Sequence, residues 1–203
     1  MPRAATPGAM EPPQHVADLA TACVASVKAT VGMTLDLGVE TLPVLDHYAH
    51  GVLEATDEEI LRLTAPMCGA YFGEILRRRF AGFRWHAPKE AFDEWRLELE
   101  PAFLYFNPVG IALEVITEAD APGYHAHLGL RPEDREEVER AIALFGDVRA
   151  SDYYSFAVRS EVLEQAMEAL GRLVAVQDAP KSYAHADYSK VVAELAAADE
   201  TIH

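Results

Sequence analysis

The stretch Met67–Trp85 (MCGAYFGEILRRRFAGFRW) constrains this chain more than any other. At about 100° per residue, Ile60, Met67, Cys68, Tyr71, Phe72, Ile75 and Leu76 cover well over half of a helical circumference. A helix that apolar around its girth is buried by neighbours on several sides, so the fold is built around it. Gly69 and Gly73 lie four residues apart and clear a groove where another element approaches closely. After Gly82 the helix gives way to a short aromatic strand.

The flanks are punctuated by helix and strand signals. Residues 1–13, rich in Pro, Ala and Gly, are expected to form a disordered tail. Pro13 suits a helix start, and Val16, Leu19, Ala20, Cys23, Val27 and Val31 form a stripe that ends at Gly32. Met33–Leu37 alternates in a short strand-like way, and helical spacing resumes over residues 40–55. Thr56 with Glu59 makes a capping box, while Pro66 should kink or restart the helix that follows. Trp95, Leu97 and Leu99 alternate with Arg96, Glu98 and Glu100, the pattern of a strand with one wet face.

Strands are therefore expected at about 83–86, 94–99, 103–106 and 153–158. Asn107 and Pro108 suit a helix start, although 109–116 fits a strand nearly as well. Residues 120–132 are expected to be a loop, and 132–145 a helix. Ser160 is a candidate cap for the next helix, in which Gly171 is a weak point. The expected fold is α+β: helices packed around a central apolar helix (about 64–80) and on one face of a small, mainly antiparallel sheet. It is expected to form one domain over 14–178, followed by a tail over 179–203 with a short helix.

Composition narrows function more than it identifies it. The 33 acidic and 17 basic side chains give a formal net charge of -16, which repels phosphate backbones and anionic membranes. No nucleic-acid or membrane partner is therefore expected, whereas a basic protein would be attracted. No apolar run approaches the roughly 18 residues of a membrane span, and no basic segment precedes an apolar core at the N-terminus. The expected location is cytoplasmic. Cys23 and Cys68 make neither a disulfide framework nor a zinc motif, and no P-loop or dinucleotide glycine pattern occurs, so no cofactor is expected.

Leu35-Asp36, Glu40, Leu42 and Leu45-Asp46, followed by Gly69-Ala70-Tyr71-Phe72-Gly73-Glu74 and Arg77-Arg78, are the residues that carry a resemblance. Over roughly residues 33–116 the chain resembles small uncharacterised bacterial proteins. In these a Leu-Asp helix precedes a G-A-Y-x-G-E-x-x-R-R helix, a Trp-containing strand and an Asn-Pro step. The resemblance implies helix-then-sheet order and no activity.

Two constellations carry candidate chemistry. Glu74 sits inside the apolar helix, where a carboxylate needs a partner or a raised pKa. With Tyr71, Arg78 and Trp85 it makes a candidate ligand site, and the structural alternative is an ion pair with Arg77 or Arg78. His47, His50 and Glu54 share a helix face at spacings that suit a divalent metal, with His125 and His127 as further ligands if the fold brings them near. Tyr105, Trp95 and the Tyr153-Tyr154 pair are aromatic candidates for pocket walls or core. Two functions follow: a non-catalytic acidic interaction protein, adaptor or immunity-like, or a small-molecule binder or enzyme using Glu74, His47 and His50 in a helix–sheet cleft.

Overall fold

In the computed structural model, which describes residues 11–52, 58–144, 146, 149–176 and 181–200, every residue from Cys68 to Arg77 is buried. These residues belong to α3 (Glu58–Arg79), the helix expected from the apolar periodicity. It does not restart at Pro66, which lies inside it. The carbonyl that Pro66 leaves without a donor belongs to Arg62, which is exposed to solvent. Thr56 and Glu54 lie outside the described residues.

α1 (Gln14–Val31) packs on α3, burying Val16, Ala20, Cys23 and Val27, and ends at Gly32 in the left-handed conformation. Residues 33–37 form no strand: the chain turns at Leu37 (φ 62°), whose N–H donates to the Tyr71 hydroxyl at 2.9 Å. α2 (Leu42–Val52) follows a short 3-10 turn. The glycine face of α3 receives α4 (Pro108–Thr117). A Cβ on Gly69 would stand 2.7 Å from the Val109 Cα, and one on Gly73 would stand 2.2 Å from the Trp85 ring. Asn107 caps α4, accepting from the N–H groups of Val109 and Gly110, and its amide donates to the carbonyls of Phe92 and Asp93. The helical alternative for 109–116 is the one adopted.

The fold is α+β, with a four-stranded antiparallel sheet in the order β1 (Phe83–His86), β2 (Arg96–Leu99), β3 (Leu104–Phe106), β4 (Gly129–Leu130). Phe83 pairs with Leu99, Trp85 with Leu97, Leu97 with Phe106, and Tyr105 with Gly129. Two expectations fail here. The fourth strand is Gly129–Leu130, inside the expected loop, and 153–158 is not a strand. Instead α6 (Ala150–Tyr153) leads to α7 (Phe156–Ala175), capped by Ser155 rather than Ser160. Asp46 of α2 explains why: its carboxylate accepts from the N–H groups of Phe156 (2.6 Å) and Ala157 (3.2 Å) and from the Ser155 hydroxyl. A distant carboxylate thus turns a β-prone segment into a helix start. α5 (Pro132–Ala143) packs along α7.

The polar face of β2 is not wet. α8 (His185–Glu200), longer than the expected C-terminal helix, covers it through the fully buried Tyr188. The Tyr188 hydroxyl donates to the carbonyls of Leu99 and Ala102, and its ring stacks on Phe103 at 4.4 Å.

Two outcomes follow directly. Nothing lies within 4 Å of where a Cβ on Gly171 would stand, so Gly171→Ala in α7 should raise stability by about 0.4–1 kcal/mol, read as a higher urea midpoint. On the sheet, His86 stacks on His185 at 4.2 Å, and burial, then Arg96 and His185, push its pKa down to about 4. The unfolded chain therefore takes up a proton below about pH 6.5 that folded His86 refuses. Stability is complete above that pH and falls as pH drops from about 6.5 towards 4. Urea midpoints at pH 7 and pH 5.5 should differ more for wild type than for His86→Gln.

Candidate functional site

Helical spacing converges on one cavity. α4 presents Ile111, with Glu114 behind Arg159, while α7 presents Arg159, Val162 and Leu163 and α5 presents Val138 and Ile142 at i, i+3 or i, i+4. The loop into β4 adds His127 and Leu128, and α6 adds Tyr153. Between them lies a cavity of about 360 Å3 with mostly apolar walls.

The polar floor is tightly connected. Glu114 is 1% and Arg159 6% exposed, and the guanidinium donates to the Glu114 carboxylate. Arg159 also donates to the Tyr153 carbonyl (3.2 Å) and to its phenol, and lies 3.5 Å from the centroid of that ring. Burial raises the Tyr153 pKa, against the opposing charge of Arg159. The Tyr153 oxygen stands 3.2 Å from Nδ1 of His127, whose Nε2 is 3.5 Å from Glu114. His127 is 63% exposed, so this chain of groups leads from the buried pair to solvent.

α2 holds this arrangement in place. Asp46 caps α7 as described, with burial raising its carboxyl pKa, and His50 Nε2 lies 3.0 Å from the Tyr154 carbonyl. The segment carrying Tyr153 and Arg159 is therefore pinned on both sides.

Glu114, Asp120 and His127 bring their ligating atoms within 4.8 Å of one another, as a divalent cation would require. Arg159 already occupies one Glu114 oxygen, however, and its charge opposes a cation there. The floor is better suited to hydrogen bonding than to metal binding.

Most of the residues singled out from the sequence lie elsewhere. Glu74, 2% exposed, accepts from Arg77 at 2.7 and 3.0 Å and from the Trp85 indole at 2.8 Å, with Arg78 3.6 Å away. It joins α3 to β1 as a buried ion pair. Glu74, Arg78 and Trp85 meet, but Tyr71 faces Leu37 and Thr41 instead. His47 and His50 are both exposed, and Glu54 is not among the described residues. The cavity takes His127 and Tyr153 from the sequence candidates. Glu114 and Arg159 were not legible, because neither has a charged partner at helical spacing that would single it out.

No protein-family model matches the chain, and no curated protein or solved structure is similar to it.

Proposed function

We propose that the protein binds a small, largely apolar molecule carrying a hydroxyl or carbonyl group in the cavity between α4, α5 and α7. The observation that supports this most is a volume of about 360 Å3 with mostly apolar walls and a floor of Arg159 and Tyr153, Arg159 being paired with the buried Glu114 behind it. That is more than twice the roughly 150 Å3 that admits benzene to an apolar cavity, and it is the form small-ligand sites take. The floor is internally neutral, which favours an uncharged ligand over an ion. His127, at the mouth, is placed to exchange a hydrogen bond with the ligand's polar group.

Thermal unfolding with a panel of substituted phenols and medium-chain alcohols tests this. At about 100 times Kd a bound member adds about 2.7 kcal/mol, worth roughly 2–4 °C per kcal/mol in a chain of this size. Val162→Trp, which fills the cavity from α7, should abolish that shift while melting near wild type. A panel without a hit, or an equal shift in Val162→Trp, would count against the reading.

A second reading, docking of a basic protein partner, is supported by the net charge of -16. It requires a partner that is released as salt rises, since exposed charge pairs are screened. Membership of the bacterial group sharing the G-A-Y-x-G-E-x-x-R-R helix belongs to the same proposal and carries no activity with it.

A further inference from the structure

On the opposite side of the sheet from α3, three side chains stand in line. His185 Nδ1 lies 3.0 Å from Glu98 Oε1, and His185 Nε2 lies 3.1 Å from the Ser189 hydroxyl oxygen. Glu98 is fully buried on β2 and also accepts from Arg84 (3.2 Å) and Arg96 (3.3 Å). A carboxylate so placed is an acceptor only, so the proton between it and the imidazole sits on Nδ1. That tautomer turns the Nε2 lone pair towards the Ser189 O–H. The ring is held by stacking on His86 at 4.2 Å and 22°. His185 is 47% exposed and Ser189 half-buried, so the hydroxyl is open to a reactant. One Arg96 N–H reaches to 3.4 Å from the Ser189 oxygen, where it can donate to an oxyanion forming beside it.

We propose that Ser189, His185 and Glu98 form a nucleophile–base–carboxylate relay that cleaves activated carboxylic esters. The relay is defined by roles and geometry, not by chain order or fold. Ser189 Oγ bonds to the acyl carbon as its proton passes to His185 Nε2, and Arg96 stabilises the oxyanion. The bond to the leaving alcohol then breaks, and that alcohol takes the proton from Nε2. Water repeats the sequence on the acyl-Ser189, giving the acid and restoring the serine. Glu98 stabilises the imidazolium and fixes the ring. The positive surplus of Arg84 and Arg96 over Glu98, in a chain that is otherwise strongly acidic, favours anionic transition states at this spot.

Labelling of the full chain by an alkyl fluorophosphonate tests the proposal. The Ser189 oxygen would displace fluoride from phosphorus and His185 would take the proton. Tandem mass spectrometry should place a single adduct on Ser189. Ser189→Ala should abolish it, and His185→Gln should slow it by about 100-fold or more, the size of a lost general base. Ser189→Ala removes one half-buried hydroxyl and His185→Gln keeps a polar side chain beside Glu98, so the variants should melt near wild type. No adduct, an adduct on another residue, or an equal Ser189 labelling rate in His185→Gln would overturn the proposal. A serine hydrogen-bonded to a neighbouring histidine for structural reasons alone would give the first or the last of these.

Discussion

Replacing Glu114 by alanine is expected to lower the unfolding free energy by about 3–5 kcal/mol. The reason is the charge left behind. Arg159 is 6% exposed, and its guanidinium faces Glu114 on one side and the Tyr153 ring on the other. Without the carboxylate, a cation is left in a site too dry to solvate it. The double variant Glu114→Leu with Arg159→Met removes both charges and should recover most of the loss, since apolar replacements of buried pairs are often neutral. Denaturant titration of Glu114→Leu, Arg159→Met and the double variant completes the cycle. A single-variant loss of only about 0.2–1 kcal/mol, typical of an exposed pair, would mean that water reaches Arg159.

Gly69→Leu should cost about 3 kcal/mol, at the upper end for overpacking. The atoms that a Cβ would meet are backbone: the Val109 Cα at 2.7 Å, and the Pro108 oxygen and Val109 nitrogen at 2.8 Å. A side chain can swing aside, but the first turn of a capped helix cannot. Relief requires α4 to back away from α3, and α4 carries Ile111 of the cavity wall and Glu114, the partner of Arg159. The variant should therefore lose both stability and the ligand-induced shift. Gly171→Ala, with open space around it, provides the internal reference. An unchanged urea midpoint for Gly69→Leu would remove α3 from the centre of the fold.

Local signals were sufficient where local physics decides. The apolar girth of α3, the glycine groove, the Asn107 cap and the β1 strand are all short-range patterns, and each lies where its pattern placed it. Residues 153–158 misled because Tyr, Phe and Val favour strands on propensity alone. The group that overrules them, Asp46, is more than a hundred residues away. Glu98 looked wet for the same reason, since α8 covers it from the far end of the chain. Glu98 and Glu114, buried carboxylates outside α3, owe their burial to partners brought close by the tertiary fold. Glu74 differs only in having its arginine at i, i+3, and that partner was visible at once.

The cavity as the ligand site is the claim on which the functional account stands. Methyl NMR of the Ile, Leu and Val side chains, titrated with a member of the phenol and alcohol panel, tests it most directly. The account predicts saturable shifts at Ile111, Leu128, Leu130, Val138, Ile142, Val162 and Leu163, with the methyl groups of α1 and of β2 unmoved. Shifts centred away from these residues, or none at any ligand concentration in the panel, would contradict it.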